Sequence, residues 1–169
     1  SNVVPPTGNQ GGGDTHHNRS LYGVAFGNST LVAVGSDGKI VRSTNNGASW
    51  ISVTTGNNPY TYGNNNLRGV TFGNNTFVGV GYTGKIIRST NDGSSWDNVT
   101  SGVHPYPPIG NYIFKGVAFG NNTFVAVGND GKIIRSTDNG ASWNSSNSPT
   151  LRHLYGVTFG NNTFVAVGS

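Results

Sequence analysis

FKGVAFGNNTFVAVGNDGKIIRSTDNGASW, residues 114–143, decides the fold. Its apolar residues come in short runs cut by turn-forming groups. Gly116-Val117-Ala118-Phe119 reads as a first strand, followed by the turn Gly120-Asn121-Asn122-Thr123. Phe124-Val125-Ala126-Val127 is a second strand, ending at the turn Gly128-Asn129-Asp130-Gly131. Lys132–Thr137 is a third, and after a hairpin a fourth starts near Trp143. The second strand is apolar throughout, with no polar alternation. That is the pattern of a strand covered on both faces, as when one sheet is sandwiched between two others.

The same unit recurs. LYGVAFGNSTLVAVGSDGKIVRSTNNGASW starts at Leu21, LRGVTFGNNTFVGVGYTGKIIRSTNDGSSW at Leu67, and LYGVTFGNNTFVAVGS at Leu154. The glycine of each Gly-Val pair falls at 23, 69, 116 and 156, intervals of 46, 47 and 40 residues. Repeats of about 40–50 residues with four short strands each are propeller blades. The expected fold is all-β, a β-propeller of four-stranded antiparallel blades, about 3.5 per chain. A solenoid is the rival repeat architecture, and would show shorter, more uniform rungs. The units run 21–66, 67–113, 114–153 and, in part, 154–169, behind an N-terminal arm at 1–20.

Composition agrees. Of 169 residues only 9% are charged and 33% hydrophobic, and glycine alone contributes 27. Gly, Asn, Ser and Thr suit many tight turns and give helices little support. The net charge is +4, but the ten Lys and Arg are spread singly. A nucleic-acid partner is not expected without a basic stripe, and the charge reads as solubility. With no cysteine there is no disulfide framework, Cys-ligated zinc or thiol nucleophile. No apolar stretch reaches the ~20 residues of a membrane span. Low charge with abundant Asn and Thr points to a secreted or cell-surface protein.

Each complete unit carries Ser-x-Asn/Asp-x-Gly-x-x-Trp: Ser43, Asn45, Gly47, Trp50; Ser89, Asn91, Gly93, Trp96; Ser136, Asp138, Gly140, Trp143. This resembles the Asp-box (BNR repeat) motif between the third and fourth strands of sialidase-like propeller blades. With KIIRST before it, the pattern also resembles repeat propellers related to Ycf48, over nearly all of residues 21–169. The resemblance implies that these boxes are structural and lie away from the ligand face. The residues agree: the Asp or Asn oxygen can accept backbone N–H groups of its own turn. Trp supplies a large flat surface at the hairpin base. Two of the three copies have Asn where the family has Asp, which keeps the acceptor.

The same resemblance raises a sialidase-like hydrolase as a remote alternative. Such enzymes use a Tyr/Glu nucleophile pair, an Asp acid/base and three arginines. This sequence has no Glu. Ordinary glycoside hydrolysis needs two suitably placed carboxyl groups. The only acids are Asp14, Asp37, Asp92, Asp97, Asp130 and Asp138. Asp92 and Asp138 lie in the boxes, and Asp37 and Asp130 occupy equivalent turns. Arg42, Arg88 and Arg135 recur at one repeat position and read as structural or surface residues. No catalytic residue, cofactor or metal site is expected. His16 and His17, with Asp14 nearby, sit in a Gly-rich arm that reads as exposed.

Strand alternation puts the first-to-second-strand turns and the box turns on one face. The other face carries the second-to-third-strand turns and the long connections between units. The first face repeats nearly unchanged, whereas the second varies, and variable loops on a rigid scaffold carry function. The expected ligand-binding residues are Tyr22, Tyr60, Tyr62, Tyr82, His104, Tyr106, Tyr112, His153 and Tyr155. Aromatic rings with polar tips suit a glycan or a peptide. The expected function is a non-catalytic, lectin-like binding module for a glycan or protein ligand. The alternative is a structural, self-assembling surface protein. The fourth unit stops after its second strand, and an open sheet edge invites pairing. Closure by the N-terminal arm as an added or exchanged strand, a ring shared between chains, and a filament all remain open.

Overall fold

The computed structural model describes residues 20–53, 65–99 and 112–169. Each repeat forms one antiparallel sheet in chain order. The first comprises β1 (Leu21–Gly27), β2 (Thr30–Gly35), β3 (Ile40–Ser43) and β4 (Ile51–Val53). The second comprises β5 (Leu67–Gly73), β6 (Thr76–Gly81), β7 (Ile86–Ser89) and β8 (Asp97–Val99). The third comprises β9 (Phe114–Gly120), β10 (Thr123–Gly128), β11 (Ile133–Ser136) and β12 (Asn144–Ser146). The fourth has two strands, β13 (Leu154–Gly160) and β14 (Thr163–Gly168). The leading strands pack side by side, β1 on β5, β5 on β9 and β9 on β13. This is the radial stacking of a propeller, with the leading strands innermost.

The turns follow from local chemistry. Asn28-Ser29, Asn74-Asn75, Asn121-Asn122 and Asn161-Asn162 link the first two strands of each blade, all at positive φ. Two left-handed residues in succession make the hairpin turn whose twist matches its strands, and Asn tolerates that region best after Gly. At the Ser-x-Asn/Asp-x-Gly-x-x-Trp corners one small network repeats. Ser89 Oγ donates to Asn91 Oδ1 at 2.9 Å and accepts the Gly93 N–H at 2.9 Å. The Ser95 N–H donates to Asn91 Oδ1 at 3.0 Å, and Trp96 Nε1 donates to the Gly93 carbonyl at 3.2 Å. Asp138 keeps the pattern, accepting Ser136 Oγ at 2.7 Å and the Ser142 N–H at 2.9 Å. Its hydrogen bonds, from Ser142 above all, hold the exposed Asp138 carboxyl at about 2, below the ordinary 3.8.

The core lies between blades. Val32, Val34 and Ile40 of the first blade pack with Leu67, Val70, Phe77, Ile87 and Trp96 of the second. Val78, Val80 and Ile86 of the second pack in the same way with Phe114, Phe124, Ala126, Ile134 and Trp143 of the third. Each junction also has a seat. A Cβ on Gly27 would lie 2.1 Å from the Phe72 ring, one on Gly73 2.0 Å from Phe119, and one on Gly120 2.1 Å from Phe159. The ring of the following blade rests flat on a bare backbone. Among the described residues the two outermost faces have no such neighbour. Leu21, Val24 and Phe26 are 49%, 62% and 61% exposed, and Val165 and Val167 51% and 60%. The Ser-x-Asn/Asp-x-Gly-x-x-Trp corners clasp the preceding blade: Asn28 Nδ2 donates to Asp92 Oδ1 at 3.0 Å, and Asn74 Nδ2 to Asn139 Oδ1 at 2.6 Å.

Two predictions follow from these contacts. Gly73→Ala forces Phe119 off its seat and destabilises the chain by about 1–3 kcal/mol, read from thermal and urea melts. Asp138 has a lower carboxyl pKa folded than unfolded, so its ionised contacts stabilise the fold above pH 3.8 and that contribution disappears as pH falls towards 2. Asp138→Asn keeps the turn, as Asn45 and Asn91 do at the equivalent positions. The wild-type advantage over that variant in melting temperature therefore shrinks as pH is lowered through this window.

Candidate functional site

Every innermost strand carries the same irregularity. The pairing of β1 with β2 slips between Leu21 and Gly23, and that of β5 with β6 between Leu67 and Gly69. The same slip falls between Phe114 and Gly116 in β9 and between Leu154 and Gly156 in β13. The extra residue in each case is Tyr22, Arg68, Lys115 or Tyr155. A β-bulge re-aims the side chain of its extra residue. Here four bulges at one repeat position bring four side chains to one rim of the stack. Together with Tyr82 and Ile113 they line a groove of about 460 Å³.

Ring and cation contacts organise the groove. The Arg68 guanidinium carbon stands 4.5 Å from the centre of the Tyr22 ring and 5.0 Å from that of Tyr82. Its Nη2 donates to the Tyr82 hydroxyl oxygen at 2.7 Å. Arg68 is thus held between two rings. Lys115 Nζ lies 4.1 Å from the centre of the Tyr155 ring. In chain order the rim reads Tyr, Arg, Lys, Tyr. His153 Nδ1 lies 3.7 Å from Asp130 Oδ1. The Asp130 N–H also donates to His153 Nδ1 at 3.1 Å.

Of the expected ligand residues, Tyr22, Tyr82 and Tyr155 line the groove together. His153 packs edge-on to Tyr155 with 6.4 Å between ring centres. Tyr112 sits apart, under Lys132 Nζ at 5.3 Å, and its carbonyl accepts the Gly84 N–H at 2.8 Å. Tyr60, Tyr62, His104 and Tyr106 lie outside the described residues, as do His16 and His17. Arg68 and Lys115 went unnoticed because single charges were read as solubility. The signal was present: in Leu/Phe-x-Gly-Val the x position alone runs Tyr, Arg, Lys, Tyr while its neighbours hardly change. Of the recurring arginines, Arg42 joins blades: its Nε donates to the Asp92 carbonyl of the next blade at 2.5 Å. Among the described residues no three His, Cys, Asp or Glu cluster to hold a metal, and no helix is long and apolar enough to cross a membrane.

These sheets and their radial packing define a β-propeller repeat protein. No family model matches the chain, and no curated protein matches it. Solved structures do. A structure of YCF48 bound to a D1 peptide aligns with 88% of this chain and 46% of its own at a TM-score of 0.59, with 18% identity. The computationally designed Ika4 protein aligns over 90% and 88% at 0.63, with 13% identity. The RRP9 WD40 repeats align over 88% and 46% at 0.58, with 12% identity. The chain thus spans about half the length of YCF48 and of the RRP9 repeats. At these identities the likeness establishes the fold.

One residue beside the groove is strained. The turn after each second strand has a left-handed centre, Asp37, Thr83 or Asp130, at φ of 55°, 54° and 56°. Asp accepts that region readily, whereas a β-branched residue does not. Thr83 directly follows Tyr82. Thr83→Asp should relieve the strain and stabilise the chain by about 1 kcal/mol, seen as a higher melting temperature.

Proposed function

We propose that this chain is a non-catalytic binding module whose glycan or protein ligand lies in the groove of Tyr22, Arg68, Tyr82, Lys115 and Tyr155. One observation carries the reading. Within the leading strand the repeats diverge most in chemistry at the bulged position, and the bulges gather those side chains on one rim. The groove offers flat rings for stacking and two cations, with no carboxylate among its lining residues. The connections at 54–64 and 100–111, which lead into the strands bearing Arg68 and Lys115, contain no Asp or Glu either. Such a groove favours a ligand with an acidic group. The lack of any Glu argues against the sialidase-like alternative. That one similar structure holds a peptide is consistent with a peptide ligand here. We also infer that the Ser-x-Asn/Asp-x-Gly-x-x-Trp corners are Asp-boxes and that the protein works at the cell surface or outside it.

An array of glycans and peptides in acidic and neutral versions tests the groove. Saturable binding is expected, weakened about tenfold by Arg68→Gln and by Tyr155→Ala, the loss typical of a charged or aromatic anchor. Binding to nothing on the array, or binding indifferent to both changes, overturns the reading.

The second reading is self-association. It is favoured by the apolar residues exposed on the two outermost faces, whose equivalents inside the stack are buried or partly buried. Light scattering tests it: a mass above 17.6 kDa supports it, and a single-chain mass at all concentrations refutes it.

A further inference from the structure

The two exposed apolar faces carry the equivalents of the residues that pack against each other between blades inside the chain. Deepening the self-association reading, and resting on it, we infer that the first blade of one copy docks on the fourth blade of another. The contact is Phe26 of the first laid over Gly160 of the second, and two copies close a ring.

The fit is argued position by position. Inside the chain, the following blade presents Leu67, Val70 and a ring, Phe72, to the preceding blade's Val32 and Val34. The equivalents of Leu67, Val70 and Phe72 in the first blade are Leu21, Val24 and Phe26, all exposed. The equivalents of Val32 and Val34 in the fourth blade are Val165 and Val167. They are 51% and 60% exposed where Val32, Val34, Val78 and Val80 are 0%. The seat completes the match. Gly27, Gly73 and Gly120 each lie under a ring of the next blade, whereas a Cβ on Gly160 would meet nothing within 4 Å. One face therefore carries a ring without a seat, and the other a seat without a ring. The polar clasp is also available. Asn161 and Asn46 stand where Asn28 and Asp92 join blades internally at 3.0 Å.

Such a contact joins two different patches, so it can close only if successive copies complete a rotation. The chain covers 46% of YCF48 and 46% of the RRP9 repeats, so two copies supply about the length of one such propeller. The junction also sets Tyr155 of one copy beside Tyr22 of the other, which carries the rim of bulged residues across the chain boundary.

Analytical ultracentrifugation of the 169-residue chain tests this, with Gly160→Ala and Phe26→Ala alongside. The wild-type chain should sediment at twice 17.6 kDa. Gly160→Ala puts a methyl in the seat, so it should melt like a single wild-type chain but weaken pairing by about tenfold or more. Phe26→Ala, which removes the ring, should weaken it similarly. A wild-type chain that stays single at its highest soluble concentration overturns both the self-association reading and this inference. Wild-type pairing that neither change weakens leaves self-association standing and overturns the seat. A mass that keeps climbing beyond two chains overturns the closed ring.

Discussion

A flat aromatic ring resting on bare backbone is the contact on which the rest of this structure depends. Gly27, Gly73 and Gly120 let Phe72, Phe119 and Phe159 close in on the preceding sheet. A methyl group at any of them would stand where the ring lies. With the sheets that close, the valines of one blade and the leucine, phenylalanine and tryptophan of the next exclude water between them. A lone four-stranded sheet of this size has too little surface to bury. Stability therefore arises at junctions, and each repeat matters for the faces it offers its neighbours.

That rule explains the division of labour between the two rims. On the corner side, Ser, Asn or Asp, Gly and Trp satisfy one another within a hairpin, and the Asn-rich turns reach across to the next blade. Every position there is occupied by the demands of the junction, so the repeats agree with one another. On the opposite rim each leading strand holds one bulged residue outside the ladder. Packing places no demand on it. The side chains at that position are free to differ, and they differ in a chemically useful way, as tyrosines flanking an arginine and a lysine.

The cations are held in place by the rings. Arg68 lies between Tyr22 and Tyr82, and the Lys115 ammonium over Tyr155, with all of them lining the groove. Pre-positioned cations lose little side-chain freedom when an acidic group arrives, so a small groove can bind with few contacts. The Tyr82 side of the groove rests on a left-handed threonine, Thr83. Backbone strain of this kind persists where its surroundings over-determine the conformation.

How much of this was legible can be judged residue by residue. The strands were, because Val125 and Val127 lack polar alternation and Asn-Asn and Asn-Asp-Gly clusters cut the runs at fixed intervals. The corners were, because their hydrogen bonds close within a few residues, from Ser89 to Trp96 for example. Counting strand directions puts Tyr22, Tyr82 and Tyr155 on the variable face, and in the structure they line one groove. Arg68 and Lys115 were not assigned to that face, because lone charges read as solubility, although their position in Leu/Phe-x-Gly-Val is the one that varies. Nor could the repeats alone tell which glycines are seats. Gly73 and Gly160 stand in the same local sequence, Thr-Phe-Gly-Asn-Asn, yet one is covered by a ring and the other is open. Local sequence set every strand and turn, since those depend on neighbours a few residues away. Packing between blades alone decided which faces are buried, which remain open, and which side chains share a groove.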